Sequence, residues 1–276
     1  MTTAANEAGA RVLLHGAGGR MGRAVVSLLA VDERLRLAAA LDAPGSVLLG
    51  RDAGELAGLG ALGVSLTADI SAALRVSDVV IDFSVVGAVP ALARAAAQSR
   101  TPTVVCTTGL DAAAHAALDA LAEVAPVVVA ANTSVGVTVL LHLAARAALL
   151  LGDDYDVEIV ELHHRQKVDA PSGTALRLAQ AVATARELDL ATAARHGRSG
   201  QVGARTPDEI GLHALRGGDV IGEHTVLLAG AGERLELTHR AHTRDLFARG
   251  ALRAARWVVS QRPGKYEMAD VLGIPR

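Results

Sequence analysis

Apolar and polar positions follow two different rhythms along this chain. From the start to about residue 130, short apolar runs alternate with alanine-rich stretches: RVLLHG, GRAVVSLLA, LRLAAALD, VSDVVIDFS, VPALARAAAQS, PTVVCTTG, AAAHAALDALAEV and PVVVAAN. This is the strand-helix-strand alternation of a parallel sheet. The strand segments are apolar throughout, as expected when helices cover both faces.

After about residue 135 the pattern changes. VTVLLHLAARAALLLG has helical period, DVEIVELHH reads as a strand, and Ser172 to Glu187 reads as a helix capped by the turn before it. Residues 196–211, HGRSGQVGARTPDEIG, have no apolar period and predict a mobile loop. LHALRGG, DVIGEHTVLLA and RLELTHRAH predict three strands joined by glycine turns, and a last helix spans about Asp245 to Gln261. The fold class expected is α/β: a parallel-sheet domain plus a smaller α+β domain with a mixed, mostly antiparallel sheet.

One segment tests this reading, because Val124 to Ala145 contains no Asp, Glu, Lys or Arg. Pro126 followed by VVVA is a buried strand, and Asn132, Thr133, Ser134 and Gly136 supply turn chemistry before a helix, so strand, turn and helix account for it better than a membrane span. Composition narrows the partners. With 27 Lys+Arg against 29 Asp+Glu and 2% aromatic residues, there is neither a basic field nor a set of stacking platforms, so no nucleic-acid or membrane partner is expected. Cys106 is the single cysteine, which rules out an internal disulfide and fits a reducing, cytoplasmic address. The opening MTTAANEAGA has neither a basic nor an apolar leader region, so no secretory signal is expected.

Val12-Leu13-Leu14-His15 leads into Gly16-Ala17-Gly18-Gly19-Arg20-Met21-Gly22, and a helix follows. Glycines here allow a sharp turn, close approach of backbone N–H groups to a pyrophosphate, and tight packing of helix on strand. A second strand ends in Asp42, at the distance expected of a carboxylate that accepts from ribose hydroxyls, although a strand-end turn residue is the plain alternative. Such a carboxylate repels a 2′-phosphate and Ala43 brings no cation, so NADH should be accepted at least as well as NADPH. Asp82-Phe83-Ser84 and Cys106-Thr107-Thr108-Gly109 end strands on the same sheet edge, and Cys106 reads as a small buried residue.

The densest chemistry lies in VELHHRQKVDAPSGTAL, Val160 to Leu176. His163, His164 and Lys167 finish a strand and precede a helix opening at Pro171-Ser172-Gly173-Thr174. The first-turn N–H groups, the Ser172 and Thr174 hydroxyls and the Lys167 ammonium form a receptor for a carboxylate. Adjacent strand histidines face opposite ways, so one of them meets the reacting atom, and a histidine can donate a proton near neutrality. A zinc pair and a solvated charged loop are the alternatives. No metal is expected, since no further ligand stands at usual spacing.

HHRQKVDAPSGTA resembles the signature of dihydrodipicolinate reductases. The likeness continues through GAGGRMGR, SVLLGRDAGELAG, IDFS, TTGL, AANTSVGV, GDVIGEHTV and THRAHTRDLFARGAL, in that family's order. It implies a Rossmann-type dinucleotide domain over 1–134 completed by 244–276, a substrate-binding and oligomerisation domain over 135–243, and usually a homotetramer. It implies NADH- or NADPH-dependent reduction of a small cyclic dicarboxylate, 4-hydroxy-tetrahydrodipicolinate, in diaminopimelate and lysine biosynthesis. By the same likeness His163 is the proton donor and Lys167 assists it and holds a carboxylate, while His164, Gly173 and Thr174 belong with Ser172 to the dicarboxylate site. Gly16, Gly19, Arg20, Met21, Gly22 and Asp42 fall on dinucleotide positions. Phe83, Thr108, Gly109, Ala131, Asn132 and Thr133 fall near nicotinamide and ribose, and Arg244 and Phe247 on the segment that returns to the cofactor domain. Thr133 stands where many members carry Phe, and Ala43 where some carry Arg. A different two-domain dehydrogenase and a dinucleotide sensor without turnover are the competing readings; intact His163 and Lys167 oppose the sensor.

Overall fold

Val12, Leu13 and Leu14 are fully buried because helices cover both faces of the strand that carries them. The structure, a computed structural model, describes residues 9–275. The expectation for the opening ten residues therefore lies outside it, apart from Gly9 and Ala10. The chain divides into two compact units, Met1–Ser134 with Arg244–Arg276, and Val135–Thr243.

In the first unit the apolar runs become β1 (Ala10–His15), β2 (Leu35–Leu41), β4 (Val79–Asp82), β5 (Thr103–Val105) and β6 (Pro126–Val129), with β3 (Leu66–Thr67) added at one edge. Between them lie α1 (Arg20–Leu29), α2 (Ala53–Leu56), α3 (Ile70–Arg75), α4 (Val89–Ser99) and α5 (Ala112–Ala122). Asp52, Asp69 and Asp111 start α2, α3 and α5 by accepting first-turn N–H groups on their side chains. The sheet is parallel throughout, in the order β12 (Gly264–Tyr266), β6, β5, β4, β1, β2, β3. Strand order reverses between β1 and β4, and their carboxyl ends are where such sheets bind ligands. The chain returns to this unit with α9 (Asp245–Val258), β12 (Gly264–Tyr266) and α10 (Met268–Val271). Ala251, Ala255 and Val258 bury the inner face of α9, which packs on β4, β5 and β6.

The second unit opens with α6 (Val135–Leu151), followed by β7 (Asp156–His163), α7 (Gly173–Ala185), α8 (Leu190–Ala193), β8 (Ala194–His196), β9 (Ile210–Arg216), β10 (Gly222–Gly230) and β11 (Glu233–Ala241). The sheet order is β11-β10-β7-β9-β8. The long pairings of β10 with β7 and β11 are antiparallel, and β9 runs parallel to β7 and β8. On β7 the strict alternation turns Val157, Ile159, Glu161 and His163 inward. The two apolar residues join Leu178, Val182, Val226 and Leu228 in a core that also takes Leu140, Ala144 and Ala148 of α6. Val135–Asp154 is long and apolar enough, by length and composition, to cross a membrane; here its inner face is part of that core.

Three strands escaped the sequence reading. β3, β8 and β12 hold two or three residues each, too few to show a period. The 196–211 segment is irregular from 197 to 209 as expected, yet it is tethered. Glu158 on the outer face of β7 accepts from Arg198 (3.0 and 2.9 Å) and Arg205 (3.1 Å), which also reaches Asp156.

Candidate functional site

Glu161 and His163 follow Val157 and Ile159 on the inward face of β7, so strand pleating puts a carboxylate and an imidazole where a core would continue. A buried carboxylate needs compensation, and Glu161, 1% exposed, has two donors on each oxygen. Oε1 accepts from the Ser172 N–H (3.0 Å) and Arg216 Nη2 (2.9 Å). Oε2 accepts from Arg216 Nη1 (2.9 Å) and from His163 Nδ1. Burial alone would push the Glu161 carboxyl up, but Arg216, His163 and the Ser172 amide together hold it below its ordinary value.

With Nδ1 tied to Glu161, the other His163 nitrogen faces Gly222. A Cβ at Gly222 would lie 2.9 Å from Nε2, so the absence of a side chain there leaves that nitrogen its space. His224 of β10 packs edge-on against the same ring. Burial lowers the His163 proton affinity, Glu161 raises it, and Lys167 and Arg216 lower it; the net shift is downward.

Ser172 is the N-cap of α7, its Oγ accepting from the Ala175 N–H at 3.2 Å. It is 2% exposed, and Oγ also meets His224 Nε2 at 3.2 Å. The polar groups of Ser172 are thus spent inside the protein, and the next residues, Gly173 and Thr174, bring their N–H groups to the first turn of α7. Lys167 lies in the loop before that turn, its ammonium 2.8 Å from Asp169 Oδ1. Arg216 Nη2 donates to the Asp169 carbonyl (2.6 Å), joining this loop to the Glu161 cluster. His164 stands one residue past the end of β7, its carbonyl accepting from the Lys167 N–H. His163, Lys167, Ser172, Gly173 and Thr174 thus belong to one continuous loop and helix start. The chemistry available is proton donation beside cationic and N–H groups that can donate to a carboxylate.

Glu161, Arg216, Gly222 and His224 were not singled out from the sequence. Glu161 carried a usable signal, because it shares the inward phase with Val157 and Ile159. Arg216 and His224 carried none, since β9 and β10 meet β7 only through sheet register.

In the first unit, Gly16 ends β1 with φ +79°, and a Cβ there would stand 2.6 Å from the Phe83 carbonyl oxygen. At Gly22 a Cβ would be 2.3 Å from the Gly16 oxygen, so α1 packs directly on the turn. Gly19 is the N-cap of α1, and Arg20 and Met21 are its first residues. Asp42 Oδ2 accepts from the Gly18 N–H (3.0 Å) and Oδ1 from the Ala43 N–H (2.7 Å), which fixes the carboxylate beside the glycine turn. The cradle, the helix start and the placed carboxylate fit a dinucleotide.

Buried Asp82 organises the next two strand ends: its carboxylate accepts from Thr107 Oγ1 (2.6 Å) and Ser84 Oγ (2.5 Å), flanking Phe83 and Thr108-Gly109. His15 Nδ1 also comes within 2.8 Å of it, off the line of a hydrogen bond. Cys106 is buried, and desolvation, then the Asp82 charge, push its thiol up, which fits a packing residue. Ala131, Asn132 and Thr133 follow β6. Thr133 Oγ1 donates to the Phe247 carbonyl (2.6 Å), and Phe247 N–H to the carbonyl of Arg244 (3.1 Å), so the returning segment is fastened to this turn.

Two family models match the chain: "Dihydrodipicolinate reductase, N-terminus" over residues 10–133 and "Dihydrodipicolinate reductase, C-terminus" over 136–272. A 4-hydroxy-tetrahydrodipicolinate reductase of Magnetococcus marinus is 53% identical over 263 residues, 95% of this chain and 98% of its own. One from Alkalilimnicola ehrlichii is 51% identical over 264 residues, covering 96% and 99%. Among solved structures, a dipicolinate-bound dihydrodipicolinate reductase from Paenisporosarcina sp. TG-14 superposes with a TM-score of 0.76 at 25% identity, covering 95% of this chain and 98% of that one.

Proposed function

The chain belongs to the dihydrodipicolinate reductase family, and from that premise we propose which of its residues carry the reaction and in what assembly. It is an oxidoreductase that reduces 4-hydroxy-tetrahydrodipicolinate to tetrahydrodipicolinate with NADH or NADPH, a step of diaminopimelate and lysine biosynthesis. When bound, the reduced nicotinamide supplies the hydride. The glycine turn with Arg20 and Met21 holds the pyrophosphate, Asp42 the adenosine ribose, and Phe83, Thr108, Gly109, Ala131, Asn132 and Thr133 the nicotinamide end, with Arg244 and Phe247 behind them. Asp42 disfavours a 2′-phosphate and Ala43 brings no cation, so NADH is accepted at least as well as NADPH.

The observation that carries the reading is His163 beside the Lys167 loop and the start of α7. Lys167 counter-charges the two ring carboxylates and His164 and the amides of Gly173 and Thr174 donate hydrogen bonds to them, with Ser172 shaping the mouth from behind. Loss of the ring hydroxyl as water leaves a conjugated cyclic imine. Hydride addition to its electron-poor carbon makes an anion, and His163 gives that anion a proton from Nε2. Burial lowers the proton affinity of His163, and an arriving dianion raises it, so substrate binding itself favours the charged acid.

The assembly proposed is a cytoplasmic homotetramer joined through the second unit. Its support is the sheet face turned away from α6 and α7, which carries Val160, Leu162 and Leu227 half-buried and Leu215 exposed. The test of function is a coupled assay with freshly generated substrate and each cofactor in turn, with dipicolinate as inhibitor. Substrate-dependent loss of nicotinamide absorbance, inhibited by dipicolinate, is expected. Dinucleotide binding without that loss would overturn the reading, and turnover insensitive to dipicolinate would point to another dehydrogenase.

A further inference from the structure

We propose that Glu161, counter-charged by Arg216, is the positioning residue that fixes which nitrogen of His163 delivers the proton and how tightly that proton is held. The inference rests on His163 being the proton donor. All four contacts on the Glu161 carboxylate come from groups facing it with hydrogens: the Ser172 amide, both ends of the Arg216 guanidinium, and His163 Nδ1. The amide and the guanidinium are obligate donors, so they stabilise Glu161 as an anion, and an anion accepts from Nδ1 only if Nδ1 carries hydrogen. The tautomer is thereby set. Nε2, the nitrogen above Gly222, is left as the site that gains and loses the deliverable proton. In the step itself the Nε2–H bond breaks, its electron pair stays on nitrogen, the proton passes to the reduced ring, and the Nδ1–H stays on His163, still donating to the Glu161 carboxylate.

Arg216 is what separates this arrangement from a bare carboxylate-histidine pair. The charged groups around the His163 ring are Glu161 on β7, Lys167 on the following loop and Arg216 on β9, with His224 on β10 as the titratable neighbour. Glu161 alone favours the imidazolium, and a cation on the same carboxylate offsets part of that attraction, which leaves His163 able both to hold a proton and to release it. The two residues therefore act in opposite directions on one property, which a merely structural role would not produce.

The experiment compares the alkaline limb of the kcat–pH profile in Glu161→Gln and Arg216→Gln. Glu161→Gln should move the limb to lower pH by about one unit or more, with kcat depressed at neutral pH and NADH affinity unchanged. Arg216→Gln should move it to higher pH. Limbs that stay in place, or move together in one direction, would overturn the proposal. Should Glu161→Gln not fold, the direction of the Arg216→Gln shift decides. Nitrogen-15 imidazole spectra of the unsubstituted enzyme give a test without mutation: neutral His163 should carry hydrogen on Nδ1, and the Nε2–H tautomer would sink the idea. His163→Ala keeps the two levels apart, because full turnover in that variant would defeat the reading of His163 as proton donor, whereas a dead His163→Ala with unmoved limbs would defeat only the role given to Glu161.

Discussion

His163 and His224 meet edge to face, their ring centroids 5.1 Å apart and their planes at 76°. Two imidazoliums at that separation repel strongly, so one ring must stay neutral. It is His224, whose burial, reinforced by the nearby His163 charge, pushes it down to about 4. Near neutral pH its Nε2 is free to accept the Ser172 hydroxyl hydrogen, and His163 is left as the ring that changes charge.

Replacing His163 by Ala should lower kcat by about 10²- to 10⁴-fold, the usual worth of a positioned general acid. NADH affinity, measured by fluorescence titration, should barely change, because the glycine turn and Asp42 belong to the other unit. Equal loss of both would make His163 structural.

Binding of dipicolinate should be accompanied by proton uptake. Burial and neighbouring cations depress His163 in the free protein, and a bound dianion raises it. The complex then holds more protons than its parts between those two values, so affinity should strengthen as pH falls through that window and level off below the free value. Calorimetry in two buffers of different ionisation enthalpy measures the uptake directly, and none is expected in His163→Ala.

Lys167→Ala should reduce kcat/KM severely. Its side chain is 21% exposed and already held by Asp169, so if Lys167 holds a substrate carboxylate as proposed, its loss strips that carboxylate of its cation. The cost for removing one partner of a desolvated pair is about 3 to 5 kcal/mol, and solvent contact places Lys167 towards the low end. Steady-state kinetics with dipicolinate as competitor checks both the size of the loss and its appearance in binding.

Acid should release the 197–209 segment before the rest of the protein. Desolvation pushes Glu158 up, but Arg198, His213 and Arg205 overcome it and hold the carboxyl at about 2. A depressed carboxyl contributes stability that is complete above its ordinary value and fades as pH falls towards the folded one, here from about 4.5 to about 2. Hydrogen exchange of the segment should rise across that window. Glu158→Gln should reproduce the release at neutral pH, seen as faster tryptic cleavage after Arg198 and Arg205.

Ala43→Arg should raise kcat/KM for NADPH relative to NADH, by supplying a cation beside Asp42 for the 2′-phosphate. An unchanged ratio from paired assays would show that selectivity is decided elsewhere than at this strand end.

The parts of the fold legible in the sequence are those whose signal is local. Continuous apolar runs announced β1, β4 and β6 because both their faces are covered, and the alternation of β7 together with the Ser172 cap placed His163 and α7 side by side. What stayed hidden depends on register between distant segments. Arg216 reaches Glu161 only because β9 lies alongside β7, and His224 reaches His163 only because β10 runs antiparallel to it on the other side. The 197–209 segment reads as mobile for a related reason: Arg198 and Arg205 are ordinary loop cations until Glu158, two helices away in sequence, is brought beside them.

The place of β12 has a consequence for how the protein is made. Gly264, Lys265 and Tyr266 pair with Pro126, Val127 and Val128, so the parallel sheet gains its outermost strand from the tail of the chain. During synthesis the exit tunnel must release the entire inserted unit before that flank can be sealed. Until then β6 presents an unsatisfied ladder of amides and carbonyls, and α9, which shields the sheet from above, is missing as well. The second unit, contiguous in sequence, can condense while its host waits. Translation stalled before α9 should therefore leave β6 with an open edge although the second unit is already complete in sequence.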